Sequence, residues 1–275
     1  MSPMHGPRED VTALRRRIVE MKRFSGLPET AARPRLPLGE PLDGALGGGL
    51  ARGALHEAFT ADPGQSGALL GFALALAALP RRPVLWVRQD MATLESGEIH
   101  GPGCAQFGLD PARLLLVGAA DATDTLAAAE EALGHAGLGL VVAEPWGEAR
   151  LLDLTATRRL ALRAERSGVP VLLLRPAADP HPSAATTRWH VAAAPSRPAP
   201  GMPAFCLGPP AFVLDLARNR LGPTGRFTVE WNAHARSFSP APRRPHLAAP
   251  ADRPAAPQLA GGPPRPLPGG WRHAG

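Results

Sequence analysis

The segment that decides the fold is LARGALHEAFTADPGQSGALLGFALALAALP, residues 50–80. It contains an apolar strand candidate, ALHEAF, then a turn with the small residues Gly64, Ser66 and Gly67, and then a long apolar helix candidate. A strand, a turn and a helix in this order form the layout in which amides at a helix N-terminus commonly bind a nucleotide phosphate. The lysine of such a loop is missing, so the segment predicts the layout without its usual chemistry.

The turn lacks three of the four defining groups of the phosphate-loop pattern G-x-x-x-x-G-K-[ST]. With Gly67 as the second glycine, Asp62 stands at the first glycine and adds a carboxylate that repels phosphate. Ala68 then replaces the lysine that reaches the terminal phosphates, and Leu69 replaces the hydroxyl that holds magnesium. We therefore expect a protein without ATPase activity, a pseudo-ATPase.

Outside this segment, apolar runs alternate with Ala/Leu-rich stretches. The strand candidates are ALHEAF, PVLWVRQ, RLLLVGA, LGLVVAE and VPVLLLR, and the clearest helices are residues 67–79, 122–135 and 151–167. This alternation predicts an α/β domain with a central, mostly parallel sheet. The stretch AFVLDLARNRLGPTGRFTVEWN predicts two antiparallel strands, which make the sheet mixed at one edge.

Two carboxylates stand at the ends of predicted parallel strands, where α/β proteins collect their ligands. Asp90 follows VLWVRQ, and Glu144 ends LVVAE. Either could hold magnesium or orient a water, but without the lysine and hydroxyl we favour an N-cap or a solvated edge charge. The histidines and the two cysteines, Cys104 and Cys206, form no metal-binding pattern, so we expect neither a metal site nor a cofactor.

The two ends of the chain differ in composition from the body. Residues 1–35 combine an amphipathic helix and a Pro-rich linker, residues 36–239 form the core, and residues 240–275 form a Pro/Arg-rich tail that we expect to be disordered. The helix packs either on its own domain or on a partner. Its apolar face and the tail arginines are the partner-binding candidates: Val11, Leu14, Ile18, Met21, Arg243, Arg244, Arg253, Arg265 and Arg272.

The net charge of +6 rests almost entirely on arginine, since Lys22 is the only lysine. A genome that favours Arg codons and a surface for an anionic partner both explain this excess, and weak DNA contact through the tail stays open. The N-terminus lacks an apolar signal segment, and the longest apolar run, residues 68–79, is too short to cross a bilayer. We expect a cytoplasmic protein without membrane contact.

Two longer stretches resemble a known fold family in the same order along the chain. LPLGEPLDGALGGGLARGALHEAF, residues 36–59, is similar to the entry of a RecA/RadA-type core, and FGLDPARLLLVGAADATDTLAAAEEALGHAGLGLVVAEPWG, residues 107–147, continues the likeness. The resemblance covers roughly residues 36–238 and implies a RecA-like fold. It places Glu144 at the magnesium-associated acidic position and Asp90 at the water-activating one. A recombinase fits poorly, because the strand that ends at Arg175 lacks the polar residues with which RecA senses nucleotide.

Within this group, the LPxGxPxLDxALGGGLxxGALHE style of opening and the lost lysine resemble the ImuA (inducible mutagenesis protein A) family. The resemblance implies a non-catalytic accessory role in DNA damage and repair, in SOS-induced, error-prone translesion synthesis. It also implies three partners: an ImuB-like inactive Y-family polymerase, an error-prone C-family DNA polymerase and RecA. Two alternatives remain open, a RecA/RadA-type ATPase with an atypical nucleotide site and a SulA-like cell-division inhibitor.

Overall fold

The computed structural model describes residues 34–60, 62–147, 150–196, 198, 201–203 and 206–242. The predicted N-terminal helix and the tail arginines lie outside these residues. The domain limits proposed from the sequence stay a prediction.

A nine-stranded mixed sheet forms the centre of the described chain, with the strand order β11-β10-β9-β8-β3-β7-β6-β4-β5. Its strands are β3 (Leu55–Phe59), β4 (Val84–Gln89), β5 (Leu114–Ala119), β6 (Leu140–Glu144), β7 (Val171–Arg175), β8 (Thr187–Ala193), β9 (Ala211–Asn219), β10 (Gly225–Asn232) and β11 (Ser237–Pro240). Strands β3 to β8 pair in parallel, and β8 to β11 pair antiparallel. A separate antiparallel pair, β1 (Arg35–Leu36) and β2 (Leu50–Ala51), precedes the sheet.

Six α-helices accompany these strands in the described residues: α1 (Leu42–Leu46), α2 (Ser66–Ala78), α3 (Asp90–Ser96), α4 (Gly101–Gln106), α5 (Ala122–Ala132) and α6 (Leu154–Ser167). Helix α2 packs on β7 and β8, whereas α5 and α6 pack on the parallel strands in a second apolar cluster. The sequence explains the difference, because α2 is apolar on every side and buries nine of its residues. Helix α6 instead exposes arginines and buries a stripe of small and apolar side chains.

The sequence also sets the ends of α6. The Asp153 carboxylate accepts a hydrogen bond from the Ala156 N–H at 2.8 Å, which satisfies a free donor of the first turn. Gly168 ends the helix at φ 71°, a left-handed conformation that glycine adopts without strain.

The predicted α/β class with a mostly parallel central sheet is confirmed, as are the five parallel strand candidates and the antiparallel pair β9 and β10. Strands β8 and β11 were not predicted from the sequence. Strand β8 is the larger omission, because it joins the parallel strands to the antiparallel ones. No helix among the described residues is long and apolar enough to cross a membrane.

Candidate functional site

The phosphate-loop position is a tight turn closed by its own polar groups. Residues 63–65 form a 3₁₀ turn that runs directly into α2. The Asp62 carboxylate accepts a hydrogen bond from the Gly64 N–H at 2.9 Å, and the Thr60 hydroxyl donates to the Asp62 carbonyl at 2.9 Å. The Gly64 amide, which an anion-binding loop would direct at phosphate, is therefore already hydrogen-bonded to the Asp62 side chain.

The glycines of this turn adopt ordinary backbone conformations. Neither Gly64 nor Gly67 has a positive φ, and a Cβ added at Gly67 would meet no atom within 4 Å. The Gln65 side chain, which the sequence analysis did not single out, accepts a hydrogen bond from the Ala193 N–H of β8 at 2.7 Å. Helix α2 begins at Ser66, directly after this turn. The Gln65 side chain thus connects the turn to the sheet.

The positions that would carry the lysine and the hydroxyl contribute to packing. Leu69 is 2% exposed within the apolar cluster between α2 and the sheet, and Ala68 packs against the same cluster. A threonine at position 69 would bury its hydroxyl among aliphatic and aromatic groups. The side chains that replace the phosphate chemistry are therefore part of the core.

Glu144 is buried and fully engaged by two side chains of β4. Its Oε2 accepts hydrogen bonds from Trp86 Nε1 and Arg88 Nε, both at 2.8 Å, and its Oε1 accepts one from Arg88 Nη2 at 3.2 Å. Arg88 and Glu144 expose only 5% and 6% of their side chains. A guanidinium thus lies against the carboxylate to which the family resemblance assigns magnesium.

The remaining donors of Arg88 bind α3 and its end. Arg88 Nη1 donates to the Gly97 carbonyl at 2.7 Å, and Nη2 donates to Ser96 Oγ at 2.9 Å. Every side-chain nitrogen of Arg88 and both carboxylate oxygens of Glu144 therefore take part in hydrogen bonds, the condition under which a buried ion pair is tolerated in a protein interior.

Asp90 is the first residue of α3 and is exposed to solvent. It lines a cavity of about 420 Å³ together with Arg88, Glu98 and apolar side chains of α3 and β5. Asp62 lines a different cavity of about 200 Å³ with His190, Asp215 and Arg226. The predicted pocket residues are therefore not gathered in one site: Asp62 lines one cavity and Asp90 the other, while Glu144 is held in the buried pair, whose Arg88 also lines the cavity at Asp90.

A second buried glutamate, which the sequence analysis missed, lies in β3. Glu57 is 1% exposed, and its Oε2 accepts hydrogen bonds from Arg188 Nη2 at 2.9 Å and from Ser183 Oγ at 2.8 Å. The Ser183 carbonyl accepts from Arg218 and Arg220. These five residues are called the Ser183 cluster below. A charged residue inside the apolar strand LHEAF was the signal that could have pointed to it.

Next to Glu57, His56 belongs to a buried neutral network. Its Nε2 donates to the Ala51 carbonyl at 2.8 Å, and its Nδ1 accepts from the Thr187 hydroxyl at 2.8 Å, which itself accepts from Trp189 Nε1 at 2.9 Å. Burial lowers the pKa of His56 to about 4, while the Ala51 carbonyl acts in the opposite direction. The network therefore requires a neutral imidazole and ties β2, β3 and β8 together. Among the described residues, no group of three or more His, Cys, Asp or Glu is arranged to hold a metal ion.

The chain matches no protein-family model. It is 35% identical to "Protein ImuA" of two Caulobacter vibrioides strains, NA1000 / CB15N and ATCC 19089 / CIP 103742 / CB 15, over 215 residues, which cover 72% of this chain and 83% of each relative. The solved structure of the RadB recombinase is similar with a TM-score of 0.47 and 17% sequence identity, over 73% of this chain and 96% of that one.

Proposed function

The chain belongs to the ImuA family, and from this we propose that it is a non-catalytic accessory protein of SOS-induced, error-prone translesion DNA synthesis. It acts through protein contacts in the cytoplasm. The proposed partners are an ImuB-like inactive Y-family polymerase, an error-prone C-family polymerase and RecA. The family supports the role in mutagenesis, and the geometry supports the absence of ATP turnover.

The observation that carries the non-catalytic proposal is the engagement of Glu144. A carboxylate that accepts three hydrogen bonds from Trp86 and Arg88 has little lone-pair capacity left for a metal ion. Magnesium there would also lie beside the Arg88 guanidinium and would be repelled by it. The buried Leu69 and the self-closed turn at Asp62 support the same conclusion.

A complementation experiment tests the proposal in a strain that lacks the gene. We expect the wild-type gene to restore damage-induced mutation, with homologous recombination unaffected by the deletion. We expect Asp90→Asn to restore it equally, because the role needs no water-activating carboxylate. Glu98→Gln is the matched control, since Glu98 lines the same cavity. Normal induced mutation in the deletion strain would contradict the accessory role, and loss of function in Asp90→Asn alone would contradict the non-catalytic part.

Equilibrium binding of labelled ATP with magnesium tests the nucleotide alternative. We expect no binding in the micromolar range. Micromolar affinity that Asp90→Asn weakens, while Glu98→Gln does not, would favour an ATPase with an atypical site. A pull-down with the ImuB-like protein and with the division tubulin homologue separates the accessory role from a SulA-like inhibitor.

A further inference from the structure

The Ser183 cluster carries more positive than negative charge. Glu57 neutralises the charge of Arg188. The Arg188 Nε and Nη2 groups donate hydrogen bonds to Glu57 Oε2 at 3.0 and 2.9 Å. Arg218 Nη1 and Arg220 Nη2 both donate to the Ser183 carbonyl, at 3.0 and 3.1 Å. That acceptor is neutral, so the cluster holds three guanidinium groups and one carboxylate.

The electrostatics of Arg218 reflect this excess. Burial lowers the pKa of Arg218, the charges of Arg220 and Arg188 lower it further, and only Glu57 acts in the opposite direction. Bringing like charges to one carbonyl costs free energy in the empty protein. An anion placed beside Arg218 and Arg220 would remove that cost.

A β-bulge places the arginines on one face of the sheet. Trp189 lies opposite Leu216, and both are buried in the core. One residue earlier on β8, Arg188 lies opposite Arg218, so a single step on β8 corresponds to two on β9. Successive strand residues alternate between faces, and Arg218 would otherwise share the buried face of Leu216. The bulge turns Arg218 to the face of Arg188, a known use of such irregularities.

The cluster is accessible from solvent. Arg220 is exposed, and Arg218 is partly exposed. The adjoining segment is held in place, because the Ala184 N–H donates to Thr157 Oγ1 of α6 at 3.2 Å and Ser183 Oγ is bound to Glu57. A fixed carbonyl orients the two arginines, and their guanidinium groups have no other hydrogen-bond acceptor among the described residues, which leaves their remaining N–H donors for a ligand.

We propose that Arg218 and Arg220, with Arg188 behind them, bind the phosphate groups of a nucleic-acid strand. Guanidinium groups bind phosphate oxygens through paired N–H donors. A nucleic-acid strand carries a negative phosphate at every nucleotide, so Arg218 and Arg220 can each bind a phosphate of the same strand. An isolated acidic side chain would neutralise only one of these two arginines. The proposal does not depend on the accessory role.

Fluorescence anisotropy with a labelled oligothymidylate and the full chain tests the site. We expect the double variant Arg218→Gln/Arg220→Gln to bind at least about tenfold more weakly and to reduce the salt slope of log K by about 1.4, since each single-strand phosphate contact contributes about 0.7. Arg81→Gln/Arg166→Gln removes the same charge from two exposed arginines elsewhere, and we expect its affinity to stay within about twofold of the wild type.

The double variant Arg218→Lys/Arg220→Lys keeps both positive charges. It is the control in case the glutamine variant loses binding because it fails to fold. We expect it to retain the salt slope and to lose a few-fold in affinity, because lysine lacks the paired donors. Equal affinity of the wild type and the glutamine variant would overturn the proposal, as would an equal loss in the control variant or no binding by the wild type.

Two competitors identify the chemistry. If pyrophosphate binding depends on Arg218 and Arg220 but oligothymidylate binding does not, the site binds a small phosphate compound. That result would overturn the proposal of a nucleic-acid ligand. Binding of oligoglutamate that depends on these arginines, with DNA binding unchanged, would overturn the phosphate chemistry in favour of an acidic protein segment.

Discussion

Two glutamates are buried in the central sheet, and each lies directly opposite an arginine of the neighbouring parallel strand. Glu144 of β6 faces Arg88 of β4, and Glu57 of β3 faces Arg188 of β8. Around Glu144 the charges balance, and the spare donors of the arginine bind α3. Around Glu57 further arginines are added without further carboxylates in the described contacts. The balance of charge around a buried acid, more than its burial, separates a closed structural pair from a candidate ligand site.

The largest expected effect is at Glu144. Glu144→Ala leaves the Arg88 charge buried without a partner, and we expect a loss of about 3–5 kcal/mol in the free energy of unfolding. Urea denaturation measures this loss. Asp90→Ala, at the exposed start of α3, is the control and should change stability by about 0.5 kcal/mol or less. A loss at Glu144 as small as that expected for Asp90→Ala would show that Glu144 and Arg88 do not form a buried ion pair in solution.

Glu57 should respond differently to added anions. Glu57→Ala leaves three clustered arginines without their carboxylate, and we expect a loss of about 3 kcal/mol in dilute buffer. Phosphate at ten times its dissociation constant should restore about 1.4 kcal/mol. Glu144→Ala is the matched control for the same urea titrations in phosphate, and because it keeps Glu57 beside the arginines, we expect a smaller recovery there. Equal recovery in both variants would remove the distinction between the two glutamates.

A substitution of His56 tests the hydrogen-bonded connection between β3 and β8 and leaves both glutamates unchanged. Its pKa is about 4 in the folded protein, below the ordinary value of 6.5, so the unfolded chain binds the extra proton first. The stabilisation is complete above pH 6.5 and is lost as pH falls towards 4, with about 2 kcal/mol lost by pH 5. Urea midpoints across this range measure it.

In His56→Gln the amide can donate to Ala51 and accept from Thr187 without titrating. The pH dependence of the wild type should therefore exceed that of the variant by this amount. Identical profiles would mean that His56 does not stay neutral in the folded protein.

The smallest effect belongs to Asp62, an exposed carboxylate that serves only its own turn. Asp62→Ala removes the acceptor of the Gly64 N–H, and we expect a loss of about 0.5–1 kcal/mol in thermal or urea denaturation. Asp62→Asn keeps a side-chain oxygen and should lie within about 0.3 kcal/mol of the wild type. A loss as large as that of Glu144→Ala would place Asp62 with the buried acids.

The parallel strands could be predicted because their apolar runs are continuous, as expected for strands covered on both faces. Strand β8 was missed although alternate residues of TRWHVAA are buried, the pattern of a half-buried strand, because the run is short and lies in a Pro/Ala-rich stretch. The residues between them, among them Arg188 and His190, remain partly exposed.

Only part of the candidate site could be predicted from the sequence. Local spacing identifies Asp62, Ala68 and Leu69, because a phosphate loop is a contiguous motif. The partner of Glu144 is 56 positions away, at Arg88, and becomes apparent only when β4 and β6 pair. The Ser183 cluster depends in addition on a bulge, a register shift that no short pattern in the chain announces.

The position of β3 also affects how the chain can be made. Both neighbours of this fully buried strand arrive late, and His56 meets Thr187 131 residues further along the chain. At about 5–20 residues per second, a ribosome needs on the order of ten seconds to supply that segment. Until then an apolar strand has two unpaired edges, the arrangement that promotes aggregation. Fragments that end before β7 would keep this hazard permanently, so dissection of the protein should leave residues 55–193 intact.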